Sequence, residues 1–228
     1  DPGTFEMKGG PVPVIEGIDY HAVSDSGTLA YRPLPKAAAA PAASASSGRT
    51  LVWVDRLGNE VPIPAPPDNY AYPHISPEGT RIALTKQEPQ GGNIWIWDIG
   101  RRTMNRLTFQ KGWDVHPIWS PDGKKIVFAS TRDGGLDLYW RAADGTGKDE
   151  KLFSRPGRSL IPYSWSGDGK NIVVADVGGS VLRGGEWDVG VLSLEGERTY
   201  KLLFKEHFTE TQPQISPDGR WIAYLLNE

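Results

Sequence analysis

Apolar residues along this chain occur in short runs of three or four, and polar turn residues separate the runs. In five places an apolar residue comes just before a polar turn and an apolar run follows it; these runs begin at Leu29, Ile82, Ile126, Ile172 and Ile222. Four of these units continue into a third and a fourth run. Short apolar runs bounded by Gly, Pro, Asp and Ser predict β-strands.

A tetrapeptide, Ser-Pro-x-Gly, marks the turn in each unit. It occurs at 76–79, 120–123 and 216–219, with a variant at 166–169 and a degenerate copy at 24–27. Proline suits the second position of a type I turn, Asp tolerates the third, and Gly adopts the left-handed conformation that follows. We therefore interpret the tetrapeptide as a structural hairpin between the first two strands of each unit.

The spacing of these turns predicts the architecture. Their first residues are 52, 44, 46 and 50 positions apart, and the longest interval contains a low-complexity insertion at 36–48. Four short strands in each repeat of this length are typical of a β-propeller blade. We predict an all-β fold, a β-propeller of four-stranded antiparallel blades, in a single domain spanning 1–228. The expected boundaries are 20–64, 70–109, 113–153 and 160–204 for the complete blades, and 209–228 for a partial fifth.

The ends of the sequence leave two arrangements open. Residues 11–16 read as a lone outer strand, which could join the partial fifth blade and close the ring as a composite blade. Otherwise the fragment is open and exposes strand edges, which favours pairing with a second copy of the chain.

Composition narrows the fold and function classes. The 228 residues include 27 Gly and 19 Pro, which break helices and so exclude helical bundles and α/β folds. The net charge of −3 argues against nucleic acid as a partner. No apolar run approaches the roughly 18 residues of a membrane span, so we expect no membrane insertion. The chain has no Cys and therefore no thiolate or disulfide chemistry.

The repeats resemble a known family. The segments 119–128 and 132–139, with Trp-Ser-Pro-Asp-Gly followed by Asp-Gly-Gly-Leu-Asp-Leu-Tyr, look like the WD-type propeller repeat of TolB, the periplasmic protein of the Tol–Pal system. The segments 10–14, 24–31, 52–56, 93–95 and 216–224 resemble propeller regions that follow bacterial serine/threonine protein kinases. No kinase motif occurs in this chain. The resemblance implies that the natural protein continues at both ends and is extracytoplasmic.

Candidate metal ligands lie just before the first strands of two blades. His74 precedes the turn of blade two, and His116 and Asp114 hold the matching place in blade three. Neighbouring blades of a propeller could bring these three together at the mouth of the central channel, as a metal site requires. The alternative is that each histidine is a polar residue bonded to loop backbone.

Candidate ligand-binding residues lie in the connections between blades. Tyr72, Trp113, Arg158 and His207 would form a ring at the channel mouth. We expect most of the nine Trp to pack in the core, with Trp113 and Trp187 as the exposed exceptions.

These features favour a non-catalytic binding module, the sensor or interaction part of a larger bacterial signalling or envelope protein. Its partner would be a protein, peptide or small ligand at one propeller face, without a cofactor. Two alternatives stay open: a metal-dependent hydrolase or lactonase with a metal ion at the channel mouth, and a propeller fragment that assembles with itself.

Overall fold

The described strands form five antiparallel sheets. The computed structural model describes residues 18–23, 29–33, 48–55, 57–179, 185–203 and 209–227. The first sheet contains β1 (Ile18–Val23), β2 (Leu29–Pro33), β3 (Val52–Val54) and β4 (Glu60–Pro62). The second contains β5 (Tyr70–Ile75), β6 (Arg81–Glu88), β7 (Gly91–Asp98) and β8 (Thr103–Arg106).

The third and fourth sheets repeat this meander, and the fifth has two described strands. The third contains β9 (Asp114–Trp119), β10 (Lys125–Ser130), β11 (Asp137–Ala142) and β12 (Glu150–Phe153). The fourth contains β13 (Arg158–Trp165), β14 (Asn171–Gly178), β15 (Glu186–Ser193) and β16 (Thr199–Leu202). The fifth pairs β17 (Thr209–Ile215) with β18 (Ile222–Asn227). The predicted all-β propeller of four-stranded antiparallel blades is confirmed.

The first strand of each sheet is the innermost. β1 contacts β5, β5 contacts β9, β9 contacts β13 and β13 contacts β17, so these five strands surround a common channel. Among the described strands, none of the fifth sheet contacts one of the first. The predicted closing strand at 11–16 lies outside the described residues, as does the insertion at 36–48 except for its last position. The composite blade therefore stays a prediction.

In the second, third and fourth sheets the centre of the second strand is buried on both faces, which explains its apolar run. Successive side chains of a strand point to opposite faces. Ile126 and Phe128 of β10 pack with Trp119 against residues of the second sheet, whereas Val127 packs against Leu160 and other residues of the fourth. The core therefore lies between neighbouring sheets.

The Ser-Pro-x-Gly turns form the expected hairpins. At the third sheet, the Ser120 hydroxyl donates to Asp122 Oδ1 at 2.6 Å and accepts from the Lys125 N–H at 2.9 Å. The N–H of Gly123 donates to the Ser120 carbonyl at 2.9 Å, and this glycine has a φ of 66°. The bond from the Ser120 hydroxyl and a second bond from the Lys124 N–H hold the pKa of Asp122 below its ordinary value. The structural interpretation of the tetrapeptide is confirmed here.

Large aromatic side chains fill the core between sheets. Trp97 and Trp119 are each 2% exposed, and Phe128 is fully buried. Trp113, predicted to lie outside the core, is 39% exposed. Trp187, predicted to be exposed, is half-buried and packs against a cluster that includes Ile161. Its place on β15, inside the sheet rather than in the preceding glycine loop, is the reason.

We expect Phe128→Ala to lower the free energy of unfolding by about 3–5 kcal/mol, because it opens a cavity between the second and third sheets. Phe109, which is 64% exposed, provides the matched control. Phe109→Ala should change stability by no more than about 0.5 kcal/mol. Urea unfolding followed by tryptophan fluorescence measures both, and equal losses in the two variants would contradict this view of the core.

Candidate functional site

The inner strands of three sheets carry a β-bulge at one shared repeat position. The pairing of β5, β9 and β17 with the next strand shifts register there. The bulged residues, Tyr72, His116 and Gln212, have φ values of 52°, 54° and 53°, and a proline follows each. Residues other than Gly seldom adopt positive φ, and a residue before proline is normally extended. The backbone is therefore strained at three equivalent places around the channel.

The fourth sheet differs at this position. There the residue four places before the turn serine is Pro162, whose ring restricts φ to about −65° and excludes the left-handed conformation. The register of β13 instead shifts between Pro162 and Ser164, which places the bulge at Tyr163. This sheet consequently presents its aromatic side chain one residue later than the second and third sheets do.

The bulges meet around a narrow cavity in the channel. Its volume is about 70 Å³, room for roughly two water molecules. The lining combines aromatic, amide and proline side chains from four sheets: Tyr72, Pro73, His74, His116, Pro117, Ile118, Pro162, Tyr163, Gln212 and Gln214. This lining contains no Asp, Glu, Lys or Arg among the described residues.

Aromatic rings of three neighbouring sheets form a row along one side of this cavity. The ring centroids of Tyr72 and His116 are 3.5 Å apart with an interplanar angle of 26°, and those of His116 and Tyr163 are 5.4 Å apart at 53°. The Gln214 amide donates to the Tyr163 carbonyl at 3.4 Å, which ties the fifth sheet to this row. Each ring is thus held by a contact from a neighbouring sheet.

Burial controls the charge of the central ring. Desolvation lowers the pKa of His116 to about 3, so its imidazole is neutral near neutral pH. A neutral imidazole has one nitrogen that donates and one that accepts a hydrogen bond. Together with tyrosine hydroxyls and glutamine amides, it makes the cavity wall an uncharged surface of mixed donors and acceptors.

Comparison with known families agrees with this architecture. The sequence profile of the TolB beta propeller domain matches residues 44–228. The chain belongs to this family. Its fold is also that of the solved structure of a putative TolB from Agrobacterium tumefaciens, with a TM-score of 0.72, 20% identity and coverage of 91% of this chain and 74% of that one.

Two curated relatives are longer than this chain. The uncharacterized peptidase YuxL of Bacillus subtilis is 26% identical over 193 residues, and the uncharacterized protein Atu1656 of Agrobacterium fabrum is 29% identical over 155 residues. These alignments cover 68% and 66% of this chain. The chain spans 29% of the length of YuxL and 52% of that of Atu1656.

The predicted ligand-binding residues occupy different surroundings in this TolB-type propeller. Tyr72 lines the cavity, whereas Trp113 and Arg158 are absent from its lining. Trp113 links two sheets through its backbone: the backbone N–H donates to Thr131 Oγ1 at 3.0 Å, and the main chain forms a β-bridge with Gly92. His207 lies outside the described residues. The ring of four stays a prediction, with Tyr72 as its member in the cavity.

Arg158 belongs to a buried charge cluster at the start of β13. Its guanidinium contacts the carboxylates of Asp176 and Asp188, and Asp176 also accepts from Arg155 and Tyr200. Asp176 is fully buried, and these partners compensate its charge. Burial and the bond to Asp176 raise the pKa of the Tyr200 hydroxyl far above its ordinary value. The cluster fixes the fourth sheet from within.

The predicted metal ligands separate into two groups. His74 and His116 both line the cavity, but Asp114 is 2% exposed and pairs with Arg132 at 3.1 Å. Arg132 in turn pairs with Asp149 at 2.9 Å. In the part of the chain that the structure describes, no three His, Asp or Glu side chains are grouped so that they could hold a metal ion. The ion pair with Arg132 explains why Asp114 is not part of such a group.

Sequence reasoning missed three of the cavity residues, Tyr163, Gln212 and Gln214. All three occupy positions two to four places before the turn serine. Alignment of the repeats on that serine would have found them, because the inner strands of the second to fifth sheets line the cavity at those positions. The described residues contain no helix with the length and hydrophobicity of a membrane span.

The low pKa of His116 predicts how acid affects stability. Between pH 6.5 and about 3 the unfolded chain binds a proton at this residue and the folded chain does not, so acidification favours unfolding. His116→Asn removes this contribution and retains a residue that tolerates positive φ. From pH 7 to pH 4 the wild type should lose more unfolding free energy than the variant, by at most about 1.4 kcal/mol per pH unit.

Urea unfolding of both proteins at several pH values tests this. The carboxylates common to both proteins cancel in the comparison. Parallel pH curves for the two proteins would show that His116 titrates normally. A direct check is the ¹H–¹³C NMR signal of the His116 ring, which should keep its neutral chemical shift down to pH 4.

Proposed function

We propose that the chain is a non-catalytic recognition module that binds a polypeptide segment of a partner protein at the propeller channel. The observation that carries this is the strained inner-strand bulge at Tyr72, His116 and Gln212. Strain of this kind persists where the surrounding structure fixes it, and it is concentrated at ligand sites. Here three sheets direct strained residues into one cavity.

The chemistry of the cavity suits a peptide. Tyrosine, neutral histidine and glutamine each donate and accept hydrogen bonds, as peptide groups do. The stacked rings of Tyr72 and His116 add a flat apolar surface for a side chain. A cavity of about 70 Å³ is far below the 300–1,000 Å³ typical of sites for drug-sized ligands. It fits one side chain or one chain end of a larger partner.

The adjacent prolines prepare this surface for binding. Pro73, Pro117 and Pro162 restrict the backbone beside the stacked rings. A site that is rigid before binding loses little conformational freedom when the partner arrives, which raises affinity without more contact area.

The comparisons support a role within a larger protein. The chain spans only part of the length of YuxL and Atu1656, and one of these is named as a peptidase. We propose that this propeller serves a larger bacterial protein as its interaction domain. An extracytoplasmic location is the further proposal, from the similarity to TolB. Attachment to a protein kinase stays a prediction from the sequence resemblance.

A metal-dependent hydrolase is the second candidate, because His74 and His116 line the same cavity. It requires a third ligand from outside the described residues or from the partner. Calorimetric titration with Zn²⁺ and Mn²⁺ distinguishes the two functions. Stoichiometric metal binding that His116→Asn abolishes would favour the hydrolase over the recognition module.

The test of the recognition module is selection of binders from a random peptide library displayed on phage. Selected peptides are then titrated by calorimetry against the wild type, Tyr163→Ala and Phe109→Ala. We expect Tyr163→Ala to weaken binding by tenfold or more, since it removes an aromatic wall of the cavity. The exposed Phe109 lies outside the cavity lining, so Phe109→Ala should leave affinity unchanged.

Circular dichroism of Tyr163→Ala checks that the variant remains folded. Peptides that bind Tyr163→Ala as tightly as the wild type would place recognition elsewhere and contradict the proposal. A library that yields no peptide with saturable binding would count against it in the same way.

A further inference from the structure

The junction between the second and third sheets contains an arginine in a distinctive setting. Arg81, which follows the turn of the second sheet, lies over the Trp119 ring with its guanidinium carbon 4.4 Å from the ring centroid. It donates to the Gly123 carbonyl at 3.2 Å and pairs with Glu78 at 2.7 Å. An aromatic ring, a turn carbonyl and a carboxylate thus hold one guanidinium between two turns.

The next junction repeats these groups but lacks the arginine. Counted from the turn serines, Trp165 corresponds to Trp119, Gly169 to Gly123, Asp122 to Glu78 and Lys125 to Arg81. The Lys125 ammonium lies 3.4 Å from the centroid of Trp140, on the other wall. Among the described residues, no Lys or Arg lies over the ring of Trp165.

A groove occupies the place that Arg81 fills in the preceding junction. Its volume is about 580 Å³, and its lining includes Asp122, Lys125, Trp140, Trp165 and Asp168. It lies at the end of the sheets that carries the Ser-Pro-x-Gly turns. At the following junction the two turns lie close together, since a Cβ at Gly167 would lie 2.8 Å from the Pro217 carbonyl oxygen.

Two ionised carboxylates in the groove could pair with a cation. The carboxylates of Asp122 and Asp168 each use Oδ1 for the serine hydroxyl and a backbone N–H of their own turns. Both side chains are exposed, and those bonds hold both pKa values below the ordinary value, so both are ionised at neutral pH.

We propose that this groove binds an arginine side chain of a partner polypeptide, with its guanidinium over Trp165 and paired with Asp122. The arrangement copies the one that Arg81 forms in the same chain. Arginine is favoured over lysine because a planar guanidinium both stacks on an indole ring and donates to a carboxylate in its plane. This site is independent of the channel cavity, so either proposal can fail alone.

Indole ¹H–¹⁵N NMR tests the site with the peptide acetyl-Gly-Arg-Gly-amide. The nine tryptophans give separate probes, and Trp165→Phe assigns the signal that matters. We expect a saturable shift of the Trp165 signal in the millimolar range, as for a single side chain. The Trp119 signal should stay unchanged, because Arg81 already covers that ring. The same peptide with citrulline, the neutral isostere, should shift neither.

Three variants test the correspondence between the two junctions. Lys125→Arg installs the residue of the preceding junction and should weaken peptide binding at least tenfold by filling the groove. Asp122→Asn keeps the turn acceptor and removes the charge, so we expect about a fivefold loss of affinity. Arg81→Ala should create a second responsive site at Trp119.

The proposal fails if the citrulline peptide binds as well as the arginine peptide, or if the Trp165 signal does not move. It also fails if Lys125→Arg retains wild-type affinity or if Arg81→Ala gains no response at Trp119, since each result would contradict the comparison between junctions. Unchanged indole signals elsewhere in each variant verify that the fold is intact.

Discussion

The packing of neighbouring sheets on one another is the constraint on which the rest of this structure depends. The central residues of the second strands β6, β10 and β14 are buried on both faces, as with Ile126, Val127 and Phe128 of β10. A sheet with two buried faces is not stable alone and needs a neighbour on each side. The inner strands then converge, and the channel is a consequence of the core.

The inner strands have bulges because they converge on the channel. A regular strand alternates its side chains between the two buried faces and directs none of them along the axis. The extra residue of a bulge redirects a side chain, which is how Tyr72 and His116 face one another rather than the core. Tight hydrogen bonding in the turn that follows holds the end of the strand, and so the register on either side of the bulge is kept.

Much of this could be predicted from the amino-acid sequence. The turn tetrapeptides and the apolar runs defined the sheets, since both patterns are local and recur. The position of Tyr72 at the channel was also predicted, although the sequence placed it in a connection between blades and it lies on β5. The partners of charged residues did not follow: Arg158 pairs with Asp176, eighteen positions away along the chain, and Asp114 with Arg132. Pairing of this kind depends on which strands are adjacent and on side-chain reach.

The residues that differ between repeats determine which surface each sheet presents. The turn and the apolar runs are nearly constant because each sheet needs them for its own fold. Pro162, where the second, third and fifth sheets have an aromatic or amide residue, moves the bulge by one residue, and Lys125, where the preceding sheet has Arg81, changes the surface between two turns. Sites on such a scaffold are best sought where one repeat differs from its neighbours.

The left-handed bulges have a consequence for how this channel could change over time. A position that already tolerates Tyr, His and Gln at nearly the same φ accepts very different side chains without altering the strand around it. The second, third and fifth sheets therefore each present one exchangeable side chain to the channel, and a single substitution there changes the chemistry of the channel wall without altering the strand. Pro162 is the exception: its ring excludes the left-handed conformation, so the fourth sheet must lose this proline before it can present a side chain in the same way.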